Sequence, residues 1–150
     1  MTAVAPRPGP GRRRLLRAGL AVLGGLHLSW GIAALAAPRR FFEKFPGFGE
    51  RWTAAYPPYN EHLLTDVGAA FTALGVLLLA AAWLADRRVT RVVLAGVLVF
   101  SGLHLGYHAV RHGELAGGSL AASLVSLVAG VVAPAGLWWL SYRTGDRPAV

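Results

Sequence analysis

Two sets of residues in this chain have types and spacing suited to ligand or proton chemistry. His62 and Asp66 are four apart, which puts them on one helical face, one turn from each other, with Glu61 alongside. His104, His108 and His112 repeat at the same interval as H-x-x-x-H-x-x-x-H. Neutral imidazole and carboxylate are ligands for Zn, Fe, Mn or Cu, and helical bundles build such centres from inward-facing side chains at i, i+3 or i+4. The four-ligand candidate is His62, Asp66, His104 and His108. Glu61 and His112 would flank it, and Glu61 or Asp66 would serve as the catalytic base toward a bound water. Other chemistry is open to the same residues. Two histidines from different helices can ligate a haem, and a buried Asp–His pair can relay protons or hold a quinone. Packing is open too, since one carboxylate and one histidine can simply pair across helices and lock them together.

The elements that must position these residues follow from composition. Hydrophobic residues make up 55% of the 150 and charged residues only 15%, an apolar excess beyond that of a soluble domain. The excess is blocked into runs long enough to cross the hydrocarbon core, where a helix satisfies its own backbone groups. Four such helices are expected, at about Leu15–Ala37, Glu61–Ala85, Val92–Val110 and Ser119–Tyr142. The fold class is therefore all-α, an integral membrane four-helix bundle. The first run carries Ala34-Leu35-Ala36 near its end, the pattern of a cleavable leader, but its length and the interruptions at His27, Ser29 and Trp30 favour an uncleaved helix. Residues 1–14 are expected to be a disordered basic N-terminus, 15–142 the transmembrane domain, and 143–150 a cytoplasmic tail. Between the first two helices, residues 38–60 hold Phe41, Phe42, Phe45, Phe48, Trp52, Tyr56 and Tyr59. They are expected as an aromatic extracytoplasmic loop, either a belt at the headgroup level or a lid over a site.

The formal net charge of +8 does not indicate nucleic acid, because the arginines cluster at the ends of the apolar runs, where they meet lipid headgroups. Ten of the fifteen Arg and Lys residues fall in the N-terminal segment, the Asp86–Arg91 loop and the C-terminal tail. The positive-inside rule then puts both termini in the cytoplasm and the aromatic loop outside. The Ala-, Gly- and Arg-rich composition suggests a bacterial genome, so the inner (plasma) membrane is the expected location. The chain has no cysteine, which removes disulfides, thiolate metal sites and Fe–S clusters. No Ser-His-Asp or phosphate-binding motif stands out.

Depth along the helices links the two polar sets. At about 1.5 Å per residue, Asp66 lies about 9 Å below Asn60, and His104 about 10 Å below Arg111. Asp66 is thus level with His104, and His62 with His108. His27 sits near mid-membrane and is expected to bond Ser29, Ser101 or a backbone carbonyl. Gly68 and Gly75 suit close helix packing, while Gly102 and Gly106 face away from His104 and His108, toward another helix or another subunit.

The stretch Pro58-Tyr59-Asn60-Glu61-His62-Leu63-Leu64-Thr65-Asp66-Val67-Gly68, followed by His104-Leu105-Gly106-Tyr107-His108, resembles a group of small bacterial four-helix membrane proteins. Their plan is similar to that of DoxX-like proteins. The resemblance implies the four-helix plan and points to the same polar residues, without naming a reaction. The expected function is a metal-dependent membrane enzyme, using Zn or Fe on a lipid-like or small apolar substrate. A haem- or quinone-binding redox protein and a non-catalytic accessory subunit are the alternatives. The partners expected are the lipid bilayer and a second copy or a membrane subunit.

Overall fold

The computed structural model describes residues 10–143. Within them the chain forms α1 (Pro10–Ala36), α2 (Pro38–Lys44), α3 (Glu61–Leu84), α4 (Arg87–Val110) and α5 (Gly117–Arg143). One two-residue antiparallel ribbon, β1 (Pro46–Gly47) with β2 (Glu50–Arg51), lies in the aromatic segment. The fold is all-α apart from that ribbon. Four of the five helices, α1, α3, α4 and α5, are long and apolar enough to cross a membrane. The N-terminal and C-terminal expectations for residues 1–9 and 144–150 lie outside the described residues. Arg12, Arg13 and Arg14 belong to the first turns of α1 rather than to a segment preceding it.

Local caps account for the helix boundaries. Asn60 Oδ1 accepts from the Leu63 amide at 3.1 Å and so starts α3. Asp86 Oδ1 accepts from the Val89 amide at 2.8 Å, which starts α4 at Arg87. The structure differs here from the loop expected at Asp86–Arg91. The cap recruits those arginines into the helix and leaves a turn of only Ala85 and Asp86, with Ala85 in the left-handed region at φ 53°.

Tertiary packing is uneven. α1 runs antiparallel to α3 in close contact, and α4 packs on α5, while α3 and α4 meet less extensively. The α1–α3 contact is backbone on backbone. A Cβ on Gly75 would lie 2.7 Å from the Leu28 nitrogen and 3.0 Å from the Gly24 oxygen, so only glycine permits this approach. Gly31 meets Gly68 and Thr72 in the same way two turns further along.

The main core, Leu16, Leu20, Leu78, Ala81, Ala82, Leu94 and Val97 with Leu137 and Trp138 against it, joins all four long helices near the end that carries the α3–α4 turn. At that end Arg17 Nε donates to the Ala82 carbonyl at 3.0 Å, and the Arg91 guanidinium lies 4.0 Å over the Tyr142 ring. A second core at the opposite end, Ala34, Phe41 and Leu64 with Trp30, Phe42, Phe45 and Tyr59, involves only α1, α2, α3 and the aromatic segment. The buried residues of α4 are Thr90, Leu94 and Val97, all in its first half. Beyond Val97, α3 and α4 share no core cluster, and aromatic rings occupy the space between them.

Candidate functional site

Phe100, His104 and His108 recur every four residues on α4 and therefore form one stripe along its axis. The structure turns this stripe toward Phe71 of α3. The Phe71 and Phe100 ring centroids are 5.4 Å apart at 77°, and Phe100 stacks on His104 at 5.7 Å and 15°. His104 then meets His108 at 4.6 Å and 79°. Behind Phe71 lie Trp30 at 6.0 Å and His27 at 5.6 Å. His27 Nδ1 is 2.8 Å from the Leu23 carbonyl, the backbone partner expected for an interior histidine.

The loop end of this aromatic track is closed by the segment preceding α3. Thr53 Oγ1 donates to the Phe42 carbonyl at 2.7 Å, and the Trp52 amide donates to the Phe45 carbonyl at 2.8 Å. These bonds fold the segment back on α2. Its far side grips the α4–α5 connection, where the Glu114 amide donates to the Ala55 carbonyl at 2.9 Å and Ser119 Oγ bonds Glu50. Gly113 permits the grip. It adopts φ 58°, and a Cβ there would come within 3.0 Å of Tyr56 Cδ1.

Tyr56 carries the contact between loop and histidine stripe. Its hydroxyl donates to the Arg111 carbonyl at 2.8 Å and lies 2.6 Å from His108 Nδ1. A phenol has one proton, so with that proton on Arg111 O the His108 Nδ1 must be the donor. Neutral His108 then keeps its lone pair on Nε2. Burial, reinforced by Tyr107 nearby, pushes the Tyr56 phenol above its ordinary value, which keeps it protonated in this role. The His104 ring makes no hydrogen bond among the described residues. Beside these groups an open cleft of about 590 Å³ runs between the loop and the ends of α3 and α4, lined by Tyr56, Asn60, Leu63, Tyr107 and Glu114.

The sequence-predicted residues separate into two pairs. His104 and His108 adjoin within the aromatic track. His62 Nε2 and Asp66 Oδ2 approach to 3.4 Å, with side chains 87% and 62% exposed. Matching depth does not bring the pairs together, because their azimuths differ. At about 100° per residue, Asp66 lies about 140° round α3 from Phe71 and about 160° from Gly68. It faces neither α4 nor α1. Among the described residues no group of three His, Asp or Glu side chains is placed to hold a metal ion. Glu61 accepts from the Tyr59 hydroxyl at 3.2 Å, and His112 Nε2 lies 3.0 Å from the Ala109 carbonyl.

Two residues of the track are not among the sequence candidates. Phe100 carried a legible signal, its four-residue step to His104, whereas Phe71 carried none, since it reaches the stripe through tertiary contact. Tyr56 is one of the loop aromatics expected as belt or lid, but nothing in the sequence pairs it with His108.

What the arrangement offers is a file of aromatic rings between α3 and α4, with one imidazole that makes no hydrogen bond among the described residues and a second oriented by a tyrosine. No protein-family model, curated protein or solved structure matches the chain, so the site is read from its own geometry.

Proposed function

We propose that this chain is a multi-pass membrane protein that holds a quinone-type lipid, a flat carbonyl-bearing ring on an apolar tail, between α3 and α4. The observation that carries the proposal is the His104 ring, which makes no hydrogen bond among the described residues and stacks on Phe100 in line with Phe71. An imidazole N–H in an apolar setting needs an acceptor, and a ligand carbonyl supplies one. The aromatic faces around it suit a flat ring, and beyond the main core no core cluster joins α3 to α4 where the tail would leave into lipid. Orientation is part of the proposal: arginines at the end of the α3–α4 turn place it in the cytoplasm and the site toward the outer face of the plasma membrane.

A second reading makes His104 and His108 the protein ligands of a Zn or Fe centre, with water and a lipid-like or small apolar substrate completing it. The Tyr56 contact favours it, because a ligating imidazole is held by a hydrogen bond at its other nitrogen.

Titrating purified protein with a benzoquinone carrying one prenyl unit, followed by quenching of tryptophan fluorescence, tests the first reading. Trp30, which meets Phe71, is the expected reporter. Removing one buried hydrogen-bond partner costs about 1–3 kcal/mol, so His104→Ala should weaken binding between about fivefold and a hundredfold. His104→Gln, which still donates, should lose less. Asp66→Asn should bind like the parent. Saturable quenching absent from the parent, or equal in His104→Ala, sinks the reading. Metal analysis of the same preparations decides the second: roughly one Zn or Fe per chain, lost with His104→Ala, would establish it.

A further inference from the structure

The open cleft at the loop end has a chemistry that the ring file does not use. Its walls come from separate parts of the chain: Tyr56 and Pro57 from the segment preceding α3, Asn60 and Leu63 from the start of α3, Tyr107 from α4, and Glu114 from the connection after it. Glu114 is the one charged side chain among the described residues that line it. Its backbone is fixed, since the Glu114 amide donates to the Ala55 carbonyl at 2.9 Å. Its carboxylate makes no hydrogen bond or ion pair among the described residues. Every other acidic side chain among them has a partner. Glu43 meets Arg39, Glu50 accepts from Trp52 and Ser119, Glu61 from Tyr59 and Asp86 from the Val89 amide, while Asp66 lies beside His62.

Two tyrosine rings line the same cleft. The centroids of Tyr56 and Tyr107 are 6.3 Å apart at 43°. That spacing allows one cation to lie within about 6 Å of both. The Tyr56 hydroxyl is engaged with Arg111 and His108, so its ring is what it offers a ligand. A carboxylate and aromatic faces both attract positive charge, and no Lys, Arg or His is among the described lining residues to compete.

The level of the cleft narrows the choice of cation. α3 and α4 have 24 residues each and span about 36 Å, against a hydrocarbon core of about 30 Å. With both across the membrane, the start of α3 and the end of α4 stand at headgroup level, and the cleft between them opens there. Leu63 and Tyr107, both exposed, extend it with apolar surface about one turn deeper than Asn60 and Arg111. A ligand that carries its ammonium at headgroup level above an apolar tail suits both parts.

We propose that this cleft binds the ammonium group of a zwitterionic phospholipid of the phosphatidylethanolamine kind. The ammonium pairs with the Glu114 carboxylate and meets the Tyr56 and Tyr107 rings, and the acyl chains run down past Leu63. This site presupposes the membrane-spanning arrangement proposed for the chain but not the quinone, since Tyr56 is the one lining residue that touches the ring file.

Native mass spectrometry of the full chain, purified in a neutral maltoside detergent and given equimolar phosphatidylethanolamine and phosphatidylglycerol, counts the lipids retained. The parent should keep one phosphatidylethanolamine per chain. Glu114→Gln, which leaves the amide bond to Ala55 in place, should lower that retention by about twofold to fivefold, the range of an exposed cation contact. Tyr107→Leu, which removes a ring but keeps an apolar side chain, should do the same. Glu43→Gln, a change at an acid already paired with Arg39, should not. Retention of phosphatidylglycerol, which the arginines at the opposite end also attract, should be equal in parent and variants. Phosphatidylethanolamine retention indifferent to both Glu114→Gln and Tyr107→Leu overturns the proposal, as does a parallel fall in phosphatidylglycerol. Displacement of the lipid by an equal concentration of free ethanolamine overturns the lipid assignment in favour of a free amine in the same cleft. Retention of phosphatidylglycerol alone by the parent overturns the site and leaves the membrane-spanning reading standing, whereas retention of neither lipid counts against both.

Discussion

Replacing Gly75 by alanine tests the structural basis of the site, because Gly75 lies one turn from Phe71 and fixes how α3 sits on α1. The added methyl would stand 2.7 Å from the Leu28 nitrogen and 3.0 Å from both Leu28 Cα and the Gly24 oxygen, where ordinary contact begins at 3.4 Å. All three neighbours are backbone atoms, so no side chain can turn aside, and the two helices must separate. Overpacking of this kind costs about 1–3 kcal/mol. Glycine-to-alanine in a helix interior otherwise gains up to about 1 kcal/mol. Gly130 on α5 provides the control, since a Cβ there meets nothing within 4 Å. The two substitutions should therefore move stability in opposite directions, or Gly130→Ala should leave it unchanged. Thermal unfolding in one detergent, followed by loss of helical circular dichroism, measures both. If Gly75→Ala unfolds at or above the parent's midpoint, the close α1–α3 contact does not exist, and the placement of Phe71 that depends on it falls too.

Two further outcomes follow from the loop and from the arginines. Tyr56→Phe removes the bonds to Arg111 and His108 and should destabilise the protein by about 1–2 kcal/mol, with faster exchange of the Glu114 amide as the loop loosens. The phenol is raised in the folded state, so the folded chain holds the Tyr56 proton more tightly than the unfolded chain does. This contribution is complete below the ordinary tyrosine value of about 10 and is lost as pH rises from there through the folded value. Stability of the parent should accordingly fall above about pH 10 more steeply than that of Tyr56→Phe, and equal slopes would refute the assignment. Reporter fusions at Val150 and within residues 38–60 should report a cytoplasmic C-terminus and an exported loop. An exported C-terminus would reverse the orientation.

The spans, their caps and the grouping within each helix were legible in the residues alone, because each depends on interactions among near neighbours. Apolar length marks four helices that can cross a membrane, Asn60 starts α3, and His104 and His108 share a face whatever surrounds them. A buried His27 with a carbonyl four residues earlier needs no partner from elsewhere. Height along one helix follows in the same way, from counting residues from its end. Azimuth does not. Which face of α3 meets α4 is decided by where α1 claims Gly68 and Gly75, and that contact links residues more than thirty positions apart in the chain. It turns Phe71 toward the histidine stripe and leaves His62 and Asp66 outside it. Tyr56 reaches His108 across 52 residues, through a loop whose path depends on Gly113 and on hydrogen bonds to α2. Local chemistry thus set which residues lie together on each helix, and long-range packing alone decided which of those faces look at one another.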